Sequence, residues 1–200
     1  MMKYFFIFSV LIYSLNAQIP LRDGKCPDIS RCLSKFKIPL SYQSIQGYHY
    51  LYASVPFFFQ SNSKCSYIQF TGATDNVIDF ETFAIDKITN QEIVYDGSLH
   101  ASPNGDVQAN FTSMNLPLNF QVIALTAEYA ITYSCNTCGF YSSKGAGIYV
   151  QVLTRLHQPK CEIINDIEHK LEVCGIPTRS LVYIENKECD TCRHFEKKKK

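Results

Sequence analysis

Between residues 49 and 153, eight short segments alternate apolar and polar residues, and no helical pattern separates them. They are His49 to Val55, Ser66 to Phe70, Val77 to Phe83, Glu92 to Leu99, Val107 to Ser113, Phe120 to Thr126, Tyr129 to Cys135 and Ile148 to Leu153. Each is rich in Val, Ile, Phe, Tyr or Thr, the residues that suit a pleated, half-buried surface. The breaks carry turn chemistry: Thr74-Asp-Asn76, Thr89-Asn-Gln91, Pro103-Asn-Gly105 and Lys144-Gly-Ala-Gly147. Parallel strands need long crossover connections, usually helices, and none fits into these gaps. The spacing therefore predicts an all-β fold, an antiparallel sandwich or barrel.

One helix follows the eighth strand. From Pro159 to Cys174, Ile163, Ile164, Ile167 and Leu171 recur at helical spacing, with Glu162, Asp166, Glu168 and Lys170 on the other side. Gly175 and Pro177 then read as its stop. Leu181-Val-Tyr-Ile184 reads as a short ninth strand. No internal repeat or linker interrupts this order, so residues 18–192 are expected to form one domain. A leader at 1–17 precedes it and a basic, solvated tail at 193–200 follows.

The leader is expected from Lys3, the apolar run Tyr4 to Tyr13, and Leu15-Asn-Ala17, where a cut after Ala17 leaves Gln18 first. That run falls short of the roughly 20 residues that cross a bilayer, so no transmembrane segment is expected and the mature chain is read as secreted and extracellular. Nine cysteines lie beyond the cut: Cys26, Cys32, Cys65, Cys135, Cys138, Cys161, Cys174, Cys189 and Cys192. In an oxidising compartment they are expected to be mostly disulfides. Nine is odd, so at least one thiol is free or bonded elsewhere, which leaves a protein partner or a dimer open. Cys135-Asn-Thr-Cys138 and Cys189-Asp-Thr-Cys192 would read as a zinc clamp in a cytosolic chain. The leader favours disulfides instead, and no metal is expected. Cys161 and Cys174 flank the helix about 20 Å apart at 1.5 Å per residue, too far to bridge directly. One of them therefore needs another partner elsewhere.

Lys+Arg 19 against Asp+Glu 18 leaves a net charge of +1, and the one basic cluster is the terminal tail at 193–200, a balance that argues against nucleic acid as the main partner. Gly-x-Ser-x-Gly, His-Glu-x-x-His and a Gly-rich phosphate loop are all missing from the sequence. No enzyme activity, catalytic residue or cofactor is therefore expected. Asn110-Phe-Thr112 is a glycosylation acceptor, so Asn110 should face solvent, which turns Val107, Ala109 and Phe111 inward.

The order of elements and its landmark residues together resemble the lipocalin family, most closely its apolipoprotein D and insect bilin-binding branch. Gly24-Lys-Cys-Pro27 looks like that branch's mature N-terminus, and Ile45-Gln-Gly-Tyr-His-Tyr-Leu-Tyr52 with Val55-Pro56 sits at the family's first strand. Lys64-Cys65, Ala130-Ile-Thr-Tyr-Ser-Cys135 and Val152-Leu-Thr-Arg155 match the second, seventh and eighth strands. Two features depart from the family. His49 replaces its signature Trp, in a chain with no Trp at all, and its Thr-Asp-Tyr turn survives only as Thr126-Ala-Glu-Tyr129.

The resemblance implies a closed eight-stranded up-and-down barrel with disulfides Cys26–Cys135 and Cys65–Cys189. It also implies a base built from Gly47, His49 and Arg155, where an imidazole lies against the guanidinium and is held neutral by its charge. Alternation from His49 turns Leu51, Ala53 and Val55 inward, then Ile68 and Phe70, then Ile78, Phe80 and Thr82. Arg155 sets Tyr149, Gln151 and Leu153 on the same face. The expected ligand-binding residues are thus Leu51, Ala53, Ile68, Phe70, Ile78, Phe80, Thr82, Phe111, Tyr149 and Gln151. Apolar walls with sparse polar groups suit a hydrophobic ligand: a lipid, sterol, retinoid or pigment. A small amine would need inward carboxylates, and the set has none. The alternative is a secreted interaction or defence protein with a filled barrel, acting through its loops or the odd cysteine. A cysteine-dependent enzyme is a third reading.

Overall fold

The computed structural model describes residues 19–20, 26, 28–30, 32–33, 42–55, 62–74, 77–102, 106–112, 116–136 and 147–186. The expected leader, the basic tail and Cys138, Cys189 and Cys192 lie outside them. β1 is Ile19–Pro20 and α1 is Tyr42–Ile45. Eight long strands follow: β2 Gly47–Val55, β3 Ser63–Thr74, β4 Val77–Asp86, β5 Glu92–Ala101, β6 Asp106–Phe111, β7 Leu116–Leu125, β8 Tyr129–Asn136 and β9 Gly147–Thr154. The helix α2 covers Cys161–Val173, and the short strand β10 is Val182–Tyr183. All eight expected strands, the helix and the ninth strand are present; β1 and α1 were not anticipated.

Each strand from β2 to β9 pairs antiparallel with the next, and β9 pairs back with β2, which closes the barrel. β1 joins β9 at Ile19 and Ile148, and β10 joins β2 at Ser54 and Ala53. One close approach depends on glycine. A Cβ at Gly97 would lie 2.3 Å from the Asn110 carbonyl oxygen and 2.8 Å from the Phe80 ring, so no side chain fits there.

Two apolar clusters form, one on each side of the β8–β9 wall. The inner one holds Leu51, Phe70, Ile78, Phe80, Leu99, Ala109, Ala130 and Leu153. The outer one places Ile167 and Leu171 of α2 over Ile123, Ile131, Val150 and Val152. Burial on both faces explains why the sequence of β9 reads as a nearly continuous apolar run. Gly175 ends α2 with a positive φ of 71°, and the Ile176 N–H donates to the Leu171 carbonyl.

The polar side of α2 is only partly solvated. Lys170 donates to Asp166 at 2.7 Å, and Tyr129 donates to the same carboxylate while accepting from Lys170. Burial, then the Asp166 carboxylate, pushes the Tyr129 hydroxyl well above the usual phenol range. This network pins the helix to the start of β8.

Two disulfides tie the remaining chain to the barrel. Cys26–Cys135 fastens the N-terminal arm to β8, as expected from the resemblance. Cys174 bonds to Cys32, with Cα atoms 5.1 Å apart, so the partner comes from the N-terminal arm and not from the helix itself. Cys161 is left free and exposed among the described cysteines. Cys65 is disulfide-bonded, while its expected partner Cys189 lies outside the described residues.

Candidate functional site

Inward side chains do not fill the barrel. A cavity of about 130 Å³ remains inside it. Leu51, Ile68, Phe70, Phe80, Thr82, Phe111, Tyr149 and Gln151 line it, together with His49, Val55 and Leu153. Asn110 alternates to the outer face between the cavity residues Ala109 and Phe111.

Ala53 and Ile78 require correction, because neither is among the lining residues. Between Leu51 and Ala53 the pairing with β9 slips, so Tyr52 forms a bulge. Beyond it Ala53 pairs with Val152 and joins the outer cluster, while Ser54 pairs with the cavity residue Gln151. Strict alternation through β2 fails at that residue. The bulge is held from outside: the Ile184 N–H donates to the Tyr52 carbonyl, and the Tyr52 and Tyr183 rings meet edge to face at 5.5 Å. Ile78 is buried in the inner cluster, and its cross-strand partner Leu99 reaches the cavity.

The sequence reading left out several wall residues. Tyr95 pairs with Thr82, Thr132 with Gln151 and Ser134 with Tyr149 across neighbouring strands, and all three line the cavity. Leu118, Phe120 and Val122 of β7 also belong to the wall. Alternation alone separates two faces without saying which is inner; the register does that by placing these residues opposite known cavity residues.

At one end α1 closes the barrel, with Ile45 buried and reaching the cavity. Arg155 braces this cap. Its guanidinium donates to the carbonyls of Ser44 at 3.2 Å, Gln46 at 2.7 Å and Tyr48 at 3.4 Å. Three main-chain acceptors near the end of a short helix match the fork of donors that Arg presents.

His49 lies above this brace, 1% exposed, and its ring meets Phe70 edge to face at 5.4 Å. Burial lowers its pKa to about 4, with the Arg155 charge a smaller cause and the Gly47 carbonyl opposing both. The imidazole is neutral as expected, but desolvation outweighs the guanidinium in keeping it so. The unfolded chain takes up this proton near pH 6.5, whereas the folded chain refuses it until about pH 4. Its contribution is thus intact above that window and lost as pH falls through it. His49→Phe is expected to remove about 3 kcal/mol of the stability lost between pH 7 and pH 4. Denaturant unfolding of both proteins at the two pH values checks this; identical losses would mean that His49 titrates normally.

A closed antiparallel barrel of eight strands, capped at one end by a short helix and flanked by a C-terminal helix, is the lipocalin fold. Solved structures bear this out. H1 crustacyanin from the lobster Homarus americanus superposes with a TM-score of 0.71 at 16% identity, covering 90% of this chain and 96% of that one. Insecticyanin from the tobacco hornworm Manduca sexta gives 0.68 at 17% identity, covering 86% and 90%. An odorant-binding protein gives 0.57 at 12% identity, covering 78% and 99%. No family model matches the sequence, and no curated protein does.

Proposed function

We propose that this chain is a secreted carrier that binds a small hydrophobic molecule in its barrel and catalyses nothing. The carrying observation is the cavity, closed at one end by α1 and walled by Phe70, Phe80, Phe111 and Tyr149. Burying an apolar ligand against such walls contributes about 25 cal/mol per Å² removed from water. The sequence likeness to the apolipoprotein D and bilin-binding branch supports the same reading. So does the likeness in fold to solved structures such as the odorant-binding protein.

The void of about 130 Å³ bears on ligand size. An engineered cavity of about 150 Å³ accepts benzene, so one ring fits without rearrangement. A sterol, retinoid, long lipid or pigment requires side chains such as the edge-to-face pair Phe80 and Phe111 to swing aside. Glycosylation at Asn110 fits its place on the outer face. The exposed thiol of Cys161 favours a second reading, in which the protein engages a partner through that cysteine.

Native mass spectrometry of the protein from its own source, with organic extraction, tests the carrier reading. A stoichiometric apolar molecule is the expected result. A bare mass, with no uptake of hydrophobic compounds offered afterwards, would reject carriage.

A further inference from the structure

Among the described residues, the cavity wall holds no Asp, Glu, Lys or Arg. Its polar groups are hydroxyls, amides and one buried imidazole. Some already have partners: Thr82 donates to the Tyr95 carbonyl at 3.2 Å, and Ser134 donates to the Asn119 carbonyl at 2.6 Å. Gln151 and Thr132 differ. They face each other across β8 and β9, and neither side chain has a hydrogen-bond partner among the described residues. On the other side of Gln151 stands Ser54, directly paired with it across β2 and β9. Ser54 is fully buried and is not one of the residues that line the cavity. Directly opposed residues share a face, with Cβ atoms about 5 Å apart. Gln151 and Thr132 therefore form a short polar band in a mainly apolar chamber.

Such a band selects its ligand in two ways. A carboxylate or ammonium placed here would lose its water without gaining an opposite charge. A pure hydrocarbon would leave a carboxamide and a hydroxyl desolvated and unpaired. A carbonyl or hydroxyl meets both demands, because a carboxamide can donate and accept. We infer that the cavity takes a small uncharged molecule with an apolar ring or chain and a single carbonyl or hydroxyl group, held by Gln151 and Thr132. This rests on the carrier reading and specifies its ligand class.

The test compares ligands that share a body and differ in the head group, by calorimetric titration of the full oxidised chain at neutral pH. One series is benzyl alcohol, benzaldehyde, toluene, benzoate and benzylamine; the other is decanol, decane, decanoate and decylamine. The alcohols and the aldehyde are expected to bind roughly 10-fold or more tightly than the charged compounds, and several-fold more tightly than the hydrocarbons. Gln151→Leu should abolish the preference of alcohol over hydrocarbon while hydrocarbon binding persists, which also shows that the variant is folded. Thr132→Val should weaken the preference in the same direction. Charged compounds that bind as tightly as the alcohols would overturn the inference and leave carriage standing. An undiminished alcohol preference in Gln151→Leu would overturn the assignment to that residue. Failure of every compound in both series would remove the carrier reading, and this inference with it.

Discussion

Replacing Cys32 and Cys174 together by alanine is expected to lower the unfolding free energy by about 5 kcal/mol. The bond joins residues 142 apart in sequence, and in the chain-entropy model the cost of leaving so long a loop open grows with the logarithm of its length. Domains of this kind have only about 5–15 kcal/mol in hand, so the loss is a large fraction of the total. Both cysteines are also buried in the outer cluster beside Ile29, Leu171 and Ile176, which adds lost packing to lost restraint. Urea unfolding under non-reducing conditions measures the change. Cys174→Ala alone should come within about 1 kcal/mol of the double variant, because either substitution breaks the same bond. A double variant as stable as the parent would show that this link contributes nothing. The Cys26–Cys135 bond spans 109 residues, and its loop overlaps the first. Removing it second should therefore cost more than removing it first, because the Cys32–Cys174 bond, while present, already shortens the loop that Cys26–Cys135 closes.

Leu171→Ala is expected to destabilise by about 4 kcal/mol, in the upper part of the range for buried leucines. Leu171 has no exposed surface and fills the space between α2 and the outside of β8 and β9. The cost depends on how far the surroundings collapse into the space left behind, and here both sides are held. The barrel wall is hydrogen-bonded across closed strands. The helix is fastened by the Cys174 bond at one end and by the Tyr129, Asp166 and Lys170 network along its length. Little relaxation is available, so most of the cavity should persist. Ligand uptake by the variant should match that of the parent, because α2 lies outside the barrel. A loss below about 1 kcal/mol would mean that the helix is not docked as described.

Local pattern determined much of this protein. Alternation over eight segments, turn residues between them and the Gly175 stop signal are properties of neighbours in the chain, and strands, helix and order follow from them. The acceptor Asn110 orients β6, because an accessible side chain at one position turns its two neighbours inward. Part of the cavity wall was legible for the same reason, from Leu51 and Phe70 to Tyr149 and Gln151.

What tertiary structure alone decided depends on contacts between distant segments. The bulge at Tyr52 places Ala53 in the outer cluster, and it is held by Ile184 and Tyr183, more than a hundred residues away. Nothing in the alternating letters of β2 marks it. The inner faces of β7 and β8 needed register, which pairs Thr132 with Gln151 and Ser134 with Tyr149. Cys174 found Cys32 because the N-terminal arm packs beneath the helix end, a proximity that sequence separation conceals. His49 is neutral chiefly because it is buried, and burial is a property of the packed barrel rather than of any neighbouring residue in the chain.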